Sequence, residues 1–181
     1  MDIWKSLFCV MSTMIIIGAV MSGCNSEEAD IPFKESEQDK VMDQVPPKDK
    51  LYKEGDTVQI QGMEITINKA TYTPPDDYYT NPEKGNILTL DVTVKKTTDM
   101  DLSLFLYDFT LKDYQGNEYS NYTGYTDLGM AKSHMKKNKE YKGKMYFDVT
   151  GYDSFELTYK GYFGGKVKFN IVPVEYWEED L

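Results

Sequence analysis

The sequence predicts an all-β domain made of two packed antiparallel sheets. Three observations carry that expectation. Short apolar runs alternate at period two through residues 51–172. Gly, Pro, Asn and Asp punctuate these runs at short intervals. Tyr numbers 15 and Thr is frequent, and both residue types suit a pleated, half-buried surface. No segment of that region carries a helical period.

The strands follow in order. Thr57–Gln61 alternates and is punctuated by Gly62, after which Met63–Ile67 resumes with Ile65 and Ile67 on one face. Pro74-Pro75-Asp76-Asp77 and Asn81-Pro82-Glu83-Lys84-Gly85-Asn86 then make a breaker-rich loop. The clearest run is Ile87–Val94. Its Leu88, Leu90, Val92 and Val94 face one way, and Thr89, Asp91 and Thr93 the other. A strand is expected from Phe105 to Leu111, closed by the turn Asp113–Asn117 and answered by Glu118–Ser120. Lys142–Val149, Phe155–Tyr159 and Val167–Ile171 complete the set. Seven to eight strands over this length fit an immunoglobulin-like antiparallel β-sandwich, with a small barrel as the alternative. No Cys…Trp…Cys core is present, so apolar layers must hold the sheets together. A domain of this size buries enough surface for that.

The chain upstream of the strands has a different character. Residues 1–23 carry Lys5 and then an apolar stretch from Leu7 to Met21, which suits the core of a signal peptide. It ends in Met21-Ser22-Gly23-Cys24, which resembles the lipobox of bacterial lipoproteins. The resemblance implies a diacylglyceryl group on the Cys24 sulfur and cleavage between Gly23 and Cys24. Two acyl chains give stable anchoring where one is marginal. The expected location is the extracytoplasmic face of the cell membrane. The other cysteine, Cys9, leaves with the signal peptide, so the mature chain can form no internal disulfide. Residues 25–50 are charged, poor in large apolar side chains and contain Pro32, Pro46 and Pro47, so they are expected to form a disordered tether. Such a tether spans at most about 90 Å extended and roughly 30 Å as a coil. The domain is expected over residues 51–181, with a short acidic C-terminal tail.

Several segments resemble an immunoglobulin-like domain of unknown function common on Gram-positive lipoproteins. They are Glu54-Gly55-Asp56-Thr57-Val58 with Gly62–Asn68, Leu90–Lys95, Asp108–Asp113 with Gly116–Tyr119, Lys142–Phe147 and Leu157–Tyr159. The resemblance spans residues 52–172 and rests on turn and core positions. It implies a sandwich fold, similar to that of a secreted mycobacterial antigen, and brings no catalytic residue with it.

Composition narrows the chemistry further. The net charge is −10, and all 20 basic residues are Lys. An acidic chain without Arg is a poor match for nucleic acid, whose phosphates dominate affinity. Two Cys and one His exclude zinc sites built from four cysteines or from two cysteines and two histidines. Ser133-His134 are adjacent in sequence, which does not provide the geometry of a nucleophile and its base. Met130, His134 and Met135 are soft donors suited to Cu(I), but packing in a loop explains them more simply. Asp76-Asp77 and Asp99/Asp101 match no Ca²⁺ loop register and read as solvated turns. No cofactor is expected.

The aromatics admit two readings, recognition or, more simply, Tyr covering the edge of the sandwich. Tyr78, Tyr79, Tyr114, Tyr119, Tyr122 and Tyr125 fall in loops beside Asn, Ser and Gly, the composition of a binding surface. The expected function is therefore non-catalytic binding of a protein or cell-wall ligand by a membrane-anchored lipoprotein. The alternatives are a carboxylate-based extracytoplasmic hydrolase and a lipoprotein of immunity type that sequesters a partner.

Overall fold

The computed structural model describes residues 36–73, 82–124, 132–151 and 153–174. Nine strands form two sheets. They are β1 (Leu51–Lys53), β2 (Thr57–Ile60), β3 (Met63–Thr73), β4 (Asn86–Lys96), β5 (Phe109–Asp113), β6 (Glu118–Tyr119), β7 (Glu140–Val149), β8 (Phe155–Lys160) and β9 (Lys166–Ile171). One sheet has the order β1-β9-β8-β5-β6 and the other β2-β3-β4-β7. Every pairing is antiparallel except β1 on β9. The expected immunoglobulin-like sandwich is what forms, with nine strands in place of seven to eight. The extra one, β1, is three residues long and too short to show a period.

The core follows from the alternation. Ile65, Ile67, Leu88, Leu90, Val92, Val94, Met145 and Phe147 of one sheet meet Leu111, Leu157, Tyr159 and Phe169 of the other in a single buried cluster. A bulge at Asn68 breaks the β3–β4 register between Ile67 and Lys69. The extra residue turns Asn68 outward, where its Nδ2 donates to Thr93 Oγ1 at 2.9 Å, and lets Ile67 and Ala70 both face inward.

One strand expectation needs correction. The run from Phe105 is not all strand. Leu106–Asp108 makes a 3₁₀ turn, and β5 begins only at Phe109. The cause is Asp108, whose Oδ2 accepts from Phe105 N–H at 2.9 Å and folds the backbone back on itself. The outward face of β4 is covered at its start, where Thr89 is 3% exposed and bonds the Thr73 hydroxyl and Ile87 is buried, while Asp91 and Thr93 further along stay half-buried.

The structured unit also begins earlier than Leu51. Ser36 caps a helix, α1 (Glu37–Met42), in a reciprocal box with Asp39. Val41 of α1 is 4% exposed. The Glu37 carboxylate accepts from Thr98 Oγ1 at 2.7 Å and from Asp99 N–H at 3.0 Å. Ser36–Lys50 is therefore not a featureless tether. Its one apolar side chain in register, with the carboxylate and amide around it, is enough to seat it on the sandwich.

The seat centres on the β2–β3 turn. Gln61 and Gly62 both have positive φ, 46° and 82°, as a two-residue hairpin of this hand requires. Gln61 N–H donates to Gln44 O at 2.8 Å. The buried Gln61 side chain accepts from Phe163 N–H at 3.1 Å in the β8–β9 turn. Gly165 leaves it room: a Cβ there would stand 2.9 Å from Gln61 Cδ.

Three outcomes are expected. Leu90→Ala should cost about 2–5 kcal/mol in chemical denaturation. Thr89→Ala should cost about 1–2 kcal/mol, through a lost hydroxyl bond and a buried methyl. Equal losses would contradict the register. Gln61→Ala should cost about 1–3 kcal/mol, because it strands the Phe163 N–H beside an empty space; a neutral result would remove the turn from the core.

A fourth outcome concerns pH. Hydrogen bonds from Thr98 and the Asp99 amide hold Glu37 below its ordinary 4.5, with Asp99 opposing and Lys137 assisting. Ser36 holds Asp39 below its ordinary 3.8. A depressed carboxyl stabilises above its unfolded pKa, and that contribution is lost as pH falls through the folded value. The Val41 methyl resonances should therefore move towards solvent-exposed positions as pH drops below 4.5. Glu37→Gln/Asp39→Asn should flatten that step. A step that persists in the double variant would exclude these carboxyls as its source.

Candidate functional site

A groove opens where β6 parts from β5. The two strands pair only at Leu111↔Tyr119 and Lys112↔Glu118. The chain then leaves that sheet: Asn121 bridges to Phe147 of β7, and Tyr122 N–H donates to Tyr146 O at 2.7 Å. Phe109 and Thr110 of β5 lose their neighbour on that side. The resulting cavity has a volume of about 460 Å³. Leu106, Tyr107 and Phe109 give it an apolar wall, and Thr110, Glu118, Ser120, Asn121 and Thr123 a polar one.

The 3₁₀ turn shapes the apolar wall. It brings Tyr107 onto Phe105 with ring centroids 5.0 Å apart and planes within 8°. Tyr107 is 75% exposed, so one face is backed and the other is presented to solvent. Asn121 Nδ2 donates to Leu106 O at 2.7 Å and ties the two walls together. Its Oδ1 is buried and accepts no hydrogen bond among the described residues. Glu118 pairs with Lys112 at 2.7 Å, and that lysine lowers the Glu118 pKa. Asp108, raised by burial, is occupied by the Phe105 N–H.

The expected aromatics distribute unevenly. Tyr119 lines the groove but is 3% exposed and belongs to the core. Its hydroxyl donates to Asp113 Oδ2 at 2.9 Å, and its ring takes Phe155 edge-on and the Lys84 ammonium at 4.4 Å. Tyr114 is 70% exposed, in the Asp113–Asn117 turn beside a separate hollow of about 280 Å³. Tyr122 is half-buried. Tyr78, Tyr79, Tyr125 and Cys24 lie outside the described residues, as does the expected acidic tail. Sequence reasoning missed Tyr107 and Phe105 because a strand would have placed them on one face of a sheet. The signal that could have found them is the Asp three residues after Phe105.

Among the described residues the other candidate chemistry does not assemble. His134 Nδ1 lies 3.0 Å from Asp101 Oδ2 on the surface, and Asp99 pairs with Lys137. Met135 is buried in the core, and Met130 is outside the described residues. Among the described residues no three His, Cys, Asp or Glu side chains gather to hold a metal. Also among them, no helix is long and apolar enough to cross a membrane.

Solved structures share the fold. The ycdA protein of Bacillus subtilis, a candidate lipoprotein, is 24% identical with a TM-score of 0.51, over 61% of this chain and 36% of its own. The chain thus spans little more than a third of that relative. The yjhA protein of Bacillus subtilis is 15% identical with a TM-score of 0.52, over 67% of this chain and 99% of its own. MPT63, a secreted protein of Mycobacterium tuberculosis, is 14% identical with a TM-score of 0.44, over 66% and 86%. No curated protein sequence matches. Residues 52–170, from the start of the sandwich to its last strand, match the family described as Domain of unknown function (DUF4352), and the chain belongs to that family.

Proposed function

We propose that the chain is an extracytoplasmic lipoprotein, anchored to the cell membrane through Cys24, whose sandwich binds a cell-wall ligand without turning it over. The anchor is supported by Met21-Ser22-Gly23-Cys24 and by the lipoprotein description of the ycdA relative. The observation that carries the binding role is the groove beneath Tyr107. It presents a backed aromatic face next to an amide, hydroxyls and one carboxylate, the few convergent polar groups a ligand site needs.

Hydrolysis by paired carboxylates requires two such groups about 5–9.5 Å apart across the scissile bond, one of them held protonated. Among the described residues the groove is lined by a single carboxylate, Glu118, and its lysine partner keeps it ionised. That chemistry favours holding a ligand over cleaving it.

Each half of the reading has its own test. Cys24→Ala should abolish incorporation of labelled fatty acid and leave the precursor unprocessed; continued labelling would refute the anchor. Purified full chain should co-sediment with isolated wall sacculi. Tyr107→Ala should release it, and Tyr114→Ala should not. Sedimentation indifferent to Tyr107 would refute the groove as the binding site.

A further inference from the structure

We propose that the groove between β5 and the departing β6 recognises an uncharged pyranose oligosaccharide, with one sugar ring stacked on Tyr107. This rests on the groove being the binding site, and it adds the chemical class of the ligand.

The walls argue for that class. A pyranose ring has an apolar face of C–H groups and a rim of hydroxyls. A flat aromatic face matches the first, and short donors and acceptors match the second. Tyr107 supplies the face, held in plane by Phe105 at 5.0 Å, so little side-chain entropy is lost when a ring settles on it. Ser120, Thr110 and Thr123 supply hydroxyls, and the Glu118 carboxylate accepts strongly.

Other occupants fit less well. A peptide adding to a sheet edge needs a run of free backbone groups. Here the free edge of β5 is Phe109 and Thr110 alone, because Leu111 and Lys112 are paired with β6. A polyanion needs free cations, but among the described residues none lines the groove, the nearby Lys112 and Lys160 both act on Glu118, and the chain carries a net −10.

The test uses the full chain and a defined probe, chitotetraose, an uncharged β-1,4-linked pyranose oligomer, followed by isothermal calorimetry and by ring-proton saturation transfer. Binding is expected with saturation transfer strongest on one sugar face. Tyr107→Ala should weaken it at least about tenfold, roughly one decade in Kd. Tyr107→Phe should stay within about threefold of the native chain, since the ring is retained, and Tyr114→Ala should match it. Circular dichroism melts confirm that the variants are folded, as expected for a side chain so exposed. Poly(glycerol phosphate) is the comparison probe. Binding of that polyanion in preference to chitotetraose would overturn the class, as would chitotetraose binding that ignores Tyr107→Ala. If sacculi are held through Tyr107 while neither chitotetraose nor cellotetraose binds, the groove stands as the binding site and the sugar assignment falls. If sacculi and sugars are both indifferent to Tyr107, both readings fall.

Discussion

The Gln61–Gly62 turn is the constraint on which much of the molecule hangs. A two-residue hairpin of this hand demands positive φ at both positions, and only Gly62 meets that demand without strain. Gln61 adopts a φ of 46° despite its side chain. The neighbours explain why it is kept there. Its side chain crosses to the other sheet and accepts the Phe163 amide, and its own amide is taken by Gln44. Gly62 is fixed by crowding as well as by φ: a Cβ there would stand 2.6 Å from Thr98 Cγ2. Thr98 in turn donates to Glu37 of α1. One turn thus couples both sheets and the segment that enters the domain. A buried polar network of this kind stabilises only when every member is paired, and in each of these contacts donor meets acceptor.

The groove beside β5 depends on the opposite condition, a pairing that stops early. β6 lasts two residues because the chain is needed elsewhere: Asn121 and Tyr122 attach it to β7, at the edge of the other sheet. That crossing covers part of the β7 edge, which would otherwise expose unpaired backbone groups. The wedge left beside Phe109 and Thr110 is a geometric by-product of the crossing, and Asn121 holds it at a fixed width through Leu106 O. The groove is therefore framed by backbone pairing on both sides, the kind of rigid support a recognition site needs.

The lines of the fold were legible where side chains alternate. In β4 the inward set Leu88, Leu90, Val92 and Val94 reads directly from the sequence, and its partners in β3 and β7 fall into phase. Three features were hidden because they depend on single polar contacts that periodicity does not record. The Asp108 carboxylate converts an alternating run into a turn. Val41 and Glu37 seat a charged segment that composition alone reads as unstructured. Tyr119 looks like its loop neighbours in sequence, yet Asp113 and Thr150 draw its hydroxyl inward. The candidate site was half legible. Tyr beside Asn and Ser lies in the stretch that forms the polar wall of the groove, but the aromatic that faces solvent there is Tyr107, ahead of β5.

The contrast between Tyr107 and Tyr119 bears on how such a site can diversify. Both line the same groove. Tyr119 also closes the core against Phe155, so any change there costs stability before it alters specificity. Tyr107 rests on Phe105 outside the core cluster, at 75% exposure. Exposed positions away from buried networks usually change stability by less than about 0.5 kcal/mol. The exposed aromatic of the groove is thus a residue the fold does not need, on a turn that a single Asp holds in place. The sandwich can keep its alternating core while the Phe105–Asp108 turn presents a different side chain, which separates what makes the domain stable from what shapes its groove.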